Sequence, residues 1–243
     1  MFGIVIGSFL NVLIHRLPRE MAVHKGHSVC PACNHRLHPC DLIPLLSFFS
    51  LGGKCRYCKE KIAWRYPLVE ALNGVLYMAI AWRFGLNLQS VLYALIGSVL
   101  LCIAFIDWEH LLIPDSLNIA LLVLGVGLLF SHEAIPLFER MLGAMCVSLL
   151  LFAVAAFSRG RAMGGGDIKL MTALGFCLGW QRITLTLMLG AVLGSLVLLA
   201  LRKTKYALGR QVPFGTFLSA AGILSLLFGW EMFEWYIHNA KLF

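Results

Sequence analysis

Long apolar runs that contain few charges are the feature that most constrains what this sequence can fold into. Eight such segments follow one another along the chain, and their interiors contain almost no charged residues. Hydrophobic residues make up 60% of the 243 residues and charged residues 13%, whereas a soluble domain has about 45–50% and about 25% respectively. No water-soluble fold of this size can bury so much apolar surface, so the bilayer is the solvent for most of the chain. The segments are roughly 1–15, 67–83, 88–106, 115–131, 140–157, 168–181, 183–201 and 214–237.

The sequence therefore predicts an all-α polytopic membrane protein with about eight transmembrane helices. One polar stretch, 16–66, interrupts the apolar pattern and is long enough for a small subdomain. We expect a first transmembrane helix at 1–15, a cytoplasmic loop subdomain at 16–66 and a membrane domain at 67–243.

The distribution of Lys and Arg predicts the orientation of these helices. The loops 15–66, 107–115, 158–169 and 202–213 hold sixteen of the twenty cationic residues, and the opposite side holds four. Cationic residues gather in cytoplasmic loops, so the N-terminus is expected outside and the 16–66 loop inside. The net charge of +8 then reflects topology and contact with anionic lipid headgroups, and it gives no support for binding of nucleic acid.

Four of the eight cysteines form two closely spaced pairs, Cys30 with Cys33 and Cys55 with Cys58. This spacing is typical of a zinc-ribbon-like site, in which each pair brings two thiolates to one turn. A reducing cytoplasm favours metal over disulfide, and four sulfur ligands leave no open position, so a structural Zn²⁺ is expected. A redox pair is the alternative. Nearby histidines could replace a cysteine, although solvated loop positions suit them better; they are His24, His27, His35 and His38.

Three aspartates lie at the ends of apolar segments, where an ionisable residue invites a functional interpretation. Asp107 ends the third segment, and a helix C-terminus disfavours an anion, so it suits a proton-holding acid. Asp115 follows Pro114 and is interpreted as a helix N-cap. Asp167 follows three glycines; capping is possible there too, but a glycine loop also allows close approach of an extended peptide. Two carboxylates that meet at one interface share one proton and can hydrolyse a peptide bond, and a proton-coupled transporter is an equal alternative at this point.

Several motifs in order resemble those of the type IV prepilin peptidases, a family of bifunctional leader peptidases and N-methyltransferases with a GxGD aspartate. The motifs are Gly7-Ser8-Phe9-Leu10-Asn11-Val12, Arg16-Leu17-Pro18, Cys30-Pro31-Ala32-Cys33, Asp41-Leu42-Ile43-Pro44, Gly53-Lys54-Cys55-Arg56-Tyr57-Cys58, Arg65-Tyr66-Pro67-Leu68-Val69-Glu70, Ile106-Asp107, Leu112-Ile113-Pro114-Asp115 and Gly164-Gly165-Gly166-Asp167-Ile168-Lys169-Leu170.

The resemblance implies that Asp107 and Asp167 are the catalytic pair of an aspartic peptidase of the inner membrane. It implies type IV prepilins or pseudopilins as substrates, cleaved on the cytoplasmic side after the glycine of a short basic leader. It also implies methylation of the new N-terminal residue with S-adenosylmethionine, for which Asp41 and Glu70 are candidates to contact the substrate ammonium or the cofactor.

Three other interpretations remain open at this stage. A peptidase that has lost methylation belongs to the same class. A proton- or metal-linked transporter would use the two aspartates as a relay, but it would need charged residues near the middle of the membrane. A membrane-anchored zinc module would leave the glycine loop and the isolated Asp107 unexplained.

Overall fold

Helices are the regular elements of this chain in a computed structural model that describes residues 1–23, 27–131, 135–160, 163–201 and 212–240. Within these ranges there is no β-strand, and β-type pairing is limited to two isolated bridges. The predicted loop 202–213, apart from its last two residues, lies outside the described residues, and so do His24 and Lys241. The chain divides into two compact units, Met1–Trp82 and Arg83–Phe243.

In the described ranges of these units there are eight α-helices and three short 3-10 helices. The α-helices are α1 (Phe2–Arg16), α2 (Leu46–Ser50), α3 (Arg65–Phe84), α4 (Leu88–His110), α5 (Asp115–Gly127), α6 (Leu137–Phe157), α7 (Gly165–Leu201) and α8 (Phe214–Ala240). The 3-10 helices are Leu17–Arg19, Pro39–Leu42 and Leu128–Phe130.

Four helices of the described part are long and apolar enough to cross a membrane: Leu88–His110, Leu137–Phe157, Gly165–Ala200 and Phe214–Trp235. The all-helical prediction is thus confirmed, whereas about eight spans is a finer statement than these four helices support. Three predicted segments form helices that are too short or not apolar enough to be among these four. α1 has only 15 residues and α5 only 13, and α3 is long enough but less apolar, because Glu70, Asn73 and Arg83 interrupt its apolar residues.

In the first unit, α1 and α3 pack closely because glycines face the partner helix. A Cβ added at Gly7 would lie 2.7 Å from the Cα of Glu70, and one added at Gly74 would lie 2.7 Å from the side chain of Ile4. The amide of Asn73 donates to the carbonyl of Gly3 at 2.7 Å, which ties the two helices together.

In the second unit, α7 reverses direction at Gly179, whose φ of 78° and ψ of 171° are not helical. Along α7, the contacts with α8 move towards the end of α8 as far as Arg182, just after the break, and then return towards its start. A Cβ at Gly222 would meet Leu174, one at Gly229 would meet Arg182, and one at Gly190 would meet Leu218. The two halves of α7 are therefore antiparallel, and they match the segments predicted at 168–181 and 183–201.

A buried arginine supplies hydrogen-bond donors to the helix carbonyls at this break. The side chain of Arg140 on α6 donates from Nη1 to the carbonyls of Phe176 and Cys177 at 3.1 and 3.2 Å. Helix carbonyls that lose their partners at a break need other donors, and Arg140, which is 2% exposed, supplies them. Gly143 and Gly175 let α6 and α7 cross here with their backbones in contact.

Candidate active site and metal centre

Asp107 lies in the last turn of α4 and meets the first turn of α8. Its Oδ2 accepts a hydrogen bond from the backbone N–H of Thr216 at 2.7 Å, and the Thr216 hydroxyl lies 3.2 Å from the same oxygen. That hydroxyl also donates to the carbonyl of Ala104 at 3.0 Å. The free N–H groups at the start of a helix favour a carboxylate, so the start of α8 orients Asp107, which is only 5% exposed.

Gly215 makes this approach possible because it has no side chain. A Cβ at Gly215 would lie 3.0 Å from Oδ2 of Asp107 and 2.7 Å from Cδ1 of Ile113. Any larger residue would push α8 away from the carboxylate. Sequence reasoning missed Gly215 and Thr216; the available signal was Pro213 followed by a small residue and a threonine at the start of the last apolar segment.

Asp167 is half-buried in the first turn of α7, directly after the glycine loop. The N–H of Gly164 donates to its carboxylate, so the loop folds back on the aspartate. Gly166 packs on Ile113, where an added Cβ would lie 3.2 Å from the Cβ of Ile113.

The structure brings Asp107 and Asp167 to the same end of the second unit. Ile113 contacts Gly166 on one side and Gly215 on the other, so the two aspartates are held by neighbours that share one side chain. The charge of Asp107 acts directly on Asp167. Leu111, with φ of 55°, ends α4 in the left-handed conformation and turns the chain so that Ile113 reaches this position.

The interpretation of Asp115 as a helix N-cap is wrong. Pro114 occupies the N-cap position of α5, and no side-chain cap bond is present. The carboxylate of Asp115 instead pairs with Nζ of Lys169, which lies 2.9 Å from both of its oxygens. Because Asp115 is itself the first residue of α5, its carboxylate points away from the N-cap position and meets a cation on α7, two residues beyond Asp167.

The two cysteine pairs of the first unit have the same backbone form. The N–H of Asn34 donates to the carbonyl of Cys30 and the N–H of Lys59 to that of Cys55, and both donors have a positive φ of 53° and 63°. An isolated bridge flanks each turn, Val29 with Arg36 and Lys54 with Lys61. The chain thus repeats one cysteine knuckle at an interval of 25 residues (residue 55 minus residue 30).

The four sulfur atoms fit a tetrahedral metal site. The Sγ atoms of Cys30, Cys33, Cys55 and Cys58 all lie within 4.8 Å of one another, and those of Cys30 and Cys58 are 3.8 Å apart. Zn–S bonds of about 2.3 Å give a separation of about 3.8 Å between sulfurs at tetrahedral angles. None of the four is in a disulfide.

The histidines considered as alternative ligands, as far as the structure describes them, are not part of this cluster. The ring of His35 stacks on Tyr57 at 3.7 Å between centroids, and His38 stands at the N-cap of the 3-10 helix Pro39–Leu42, where its backbone N–H donates to Asp41. His27 lines a cavity of about 440 Å³ beside these two residues.

Asp41, one of the two candidates for contact with a ligand, is already paired within the protein. It accepts hydrogen bonds from Nε of Arg56 at 2.7 Å, the hydroxyl of Tyr57 at 3.2 Å and the N–H of His38 at 3.1 Å. The guanidinium of Arg56 holds the pKa of Asp41 below its ordinary value of 3.8. Because Arg56 and Tyr57 lie between Cys55 and Cys58, Asp41 fastens the second knuckle to the 3-10 helix.

Glu70, the other candidate, is 7% exposed on α3. Its Oε2 accepts from the N–H of Leu45 at 2.8 Å, and the hydroxyl of Ser8 also bonds to the carboxylate. Asp41 and Glu70 therefore have separate sets of hydrogen-bond donors.

Comparisons with known proteins agree with this arrangement. Residues 1–84 match a family model described as bacterial peptidase A24 N-terminal domain, and residues 94–199 match one described as type IV leader peptidase family. The boundary between the two matches falls close to that between the two compact units. No solved structure gives a significant match.

Curated relatives match over nearly the whole chain. Proteins named prepilin leader peptidase/N-methyltransferase are 35% identical in Stutzerimonas stutzeri, over 99% of this chain and 93% of the relative, and 34% identical in Pseudomonas aeruginosa, over 99% and 92%. One of the same name in Bacillus subtilis is 32% identical over 98% of this chain and 96% of the relative. With identities above 30% along their full length and both family models matched in order, the chain belongs to the type IV leader peptidase family.

Proposed function

We propose that this protein is a membrane aspartic endopeptidase that removes the leader of type IV prepilin-like proteins after glycine and then methylates the new N-terminal residue. The observation that carries the proposal is the meeting of Asp107 and Asp167 at one end of the second unit, around Ile113. The names of the relatives support both activities.

The geometry suggests how the two carboxylates divide the reaction. They share one proton, since like charges this close cannot both ionise cheaply. One carboxylate takes a proton from the attacking water, and the other donates a proton to the carbonyl and later the leaving amine. Oδ2 of Asp107 accepts a hydrogen bond from the N–H of Thr216 at 2.7 Å, so the start of α8 keeps this carboxylate in position while the pair exchanges its proton.

The membrane arrangement is part of the proposal. The eight helical segments cross or enter the bilayer with the N-terminus outside, as the count of cationic residues predicts. The aspartate pair then faces the cytoplasm, where a basic leader is found before export. After removal of metal, an impermeant maleimide should label the exposed Cys33 and Cys58 in inverted vesicles and not in right-side-out vesicles.

The cysteine knuckles hold a structural Zn²⁺, and the 16–66 region around them serves methylation. S-adenosylmethionine supplies the methyl group in that step. The first unit offers an anionic contact to a cofactor and a substrate that both carry positive charge. Glu70 provides this contact, because it is a buried carboxylate without a cationic partner among the described residues.

Intact-mass spectrometry of a prepilin-like substrate tests both activities at once. Wild type, Asp107→Asn, Asp167→Asn and the matched control Asp115→Asn are incubated with substrate and S-adenosylmethionine in lipid. We expect leader loss with wild type and the control, and none with the other two variants. A further gain of one methyl group reports methylation, and its absence indicates a peptidase alone. Equal cleavage by all four samples would refute the aspartate pair, and cleavage by none of them would favour a transporter.

A further inference from the structure

Glu70 is an acidic residue of the first unit that lacks a compensating charge. Its side chain is buried between α3 and α1, where Gly7 lets the helices approach to within contact of its backbone. No Lys, Arg or His of the described residues forms an ion pair with it. Burying an unpaired carboxylate is costly, and an ionisable residue in a membrane helix near its end marks a functional site more often than a structural one.

The groups that hold Glu70 are themselves unusual. The N–H that donates to Oε2 belongs to Leu45, whose φ of 60° and ψ of −51° are rare for a residue with a side chain. Such a backbone conformation is strained and persists where the surrounding structure enforces it. The hydroxyl of Ser8 on α1 is the second donor. Two neutral donors thus orient the carboxylate and leave its charge uncompensated.

Asp41 provides the contrast within the same unit. Its charge is already balanced by the guanidinium of Arg56 at 2.7 Å, so it has no need of a further cation. The sequence suggests two acidic residues for contact with a cationic ligand, Asp41 and Glu70. Since Asp41 already has a cationic partner, only Glu70 can bind a further cation.

We propose that Glu70 binds the ammonium group of the newly exposed N-terminus and takes its proton before methylation. This proposal rests on the proposed function, because leader cleavage supplies that ammonium. Glu70 lies five residues after the start of α3, about 8 Å along the helix axis. That depth suits a substrate whose N-terminus ends at the head of its own apolar helix.

The chemistry assigns a clear task to the carboxylate. An ammonium nitrogen has no lone pair, so one proton must leave before it can attack a methyl group, and Glu70 accepts that proton. When S-adenosylmethionine is bound, the amine nitrogen forms a bond to its methyl carbon while the methyl–sulfur bond breaks and the electron pair stays on sulfur. The N–H of Leu45 and the hydroxyl of Ser8 keep one face of the carboxylate fixed, so that the free face meets the amine.

Binding of two synthetic peptides tests the contact without requiring turnover. Both begin with Phe and continue with an apolar helix; one has a free amine and the other is N-acetylated. Full-length protein in lipid is compared with Glu70→Gln, whose amide oxygen still accepts from Leu45, and with Glu20→Gln at an exposed site of the same unit. Wild type and Glu20→Gln should prefer the free amine at least about tenfold, and Glu70→Gln should bind both peptides equally.

Methylation and cleavage are then measured separately on the same proteins. Glu70→Gln should lower the rate of methylation of the free-amine peptide at least about 100-fold and leave cleavage of a prepilin within about twofold of wild type. Glu70→Asp should recover part of the methylation. Retained preference for the amine in Glu70→Gln would overturn the proposal, and so would a parallel loss of cleavage and methylation. Failure of wild type to methylate would count against the proposed function, while the binding preference would still decide the role of Glu70.

Discussion

Replacing Gly215 by alanine is the sharpest test of how the aspartate pair is positioned. The new Cβ would lie 3.0 Å from Oδ2 and 3.1 Å from Cγ of Asp107, and 2.7 Å from Cδ1 of Ile113. The end of the isoleucine side chain can rotate away. The carboxylate has less freedom, because the N–H of Thr216 on the same helix turn holds it at 2.7 Å.

The size of the effect follows from these distances. Ordinary contact with a Cβ begins at 3.4 Å, so Oδ2 must move by about 0.4 Å or α8 must shift by a similar amount. A misplacement of 1 Å at a reacting group costs about 100-fold, and loss of a positioned donor costs about 100- to 1,000-fold. We therefore expect Gly215→Ala to lower kcat/KM for leader cleavage by about 10- to 100-fold. Overpacking should lower the free energy of unfolding by about 1–3 kcal/mol.

Two glycines of the loop before Asp167 provide graded controls. A Cβ added at Gly165, the variable position of the GxGD motif, would have no atom within 4 Å. A Cβ added at Gly166 would lie 3.2 Å from the Cβ of Ile113. Gly165→Ala should retain full activity and Gly166→Ala should lose a few-fold. The assay is leader release measured by intact mass, with thermal unfolding and zinc content as checks on folding.

One pattern of results would refute this reasoning. If Gly215→Ala cleaves as fast as wild type, the contact with Oδ2 does not position Asp107. If Gly165→Ala is impaired as much as Gly215→Ala, then added bulk anywhere near the pair is harmful, and the distances explain nothing.

Three further changes probe the surrounding structure. Arg140→Gln removes the donors to the carbonyls at the break in α7 and should lower the free energy of unfolding in detergent by about 2–4 kcal/mol; an unchanged melting temperature would contradict that role. Cys55→Ser should reduce zinc from about one ion per chain to near none, whereas Cys40→Ser, outside the cluster, should keep it. Asp41→Asn should destabilise the first unit by about 1–3 kcal/mol. Arg56 holds the folded-state pKa of Asp41 below its ordinary value of 3.8. The stabilisation is therefore complete above pH 3.8 and is lost only as the pH falls through the lower folded-state pKa. Thermal unfolding of wild type and Asp41→Asn should accordingly differ by the same amount at about pH 6 and pH 8.

Local patterns in the sequence were sufficient for the helical segments and for the cysteine knuckles. Apolar runs of the predicted length form helices in the structure. Two cysteines separated by two residues form a turn that depends on the local sequence alone. The reversal at Gly179 was predicted only as two neighbouring segments. Arg140 could not be assigned a role, because its partners, the carbonyls of Phe176 and Cys177, lie 36 and 37 residues away. An interaction that depends on a backbone break in another helix leaves no local signal.

The same limit explains why the dipole argument for Asp107 was incomplete. From the sequence, only α4 was considered, and its C-terminus carries about half a negative charge that disfavours a carboxylate. In the structure the first turn of α8 approaches the same carboxylate and brings about half a positive charge with the N–H of Thr216. These two helix ends oppose each other at Asp107, so neither dipole alone assigns the proton. Under the proposed function, the proton is held by the closeness of Asp107 to Asp167, which is why Gly215, Ile113 and Gly166, without any charge, contribute to the activity of the pair.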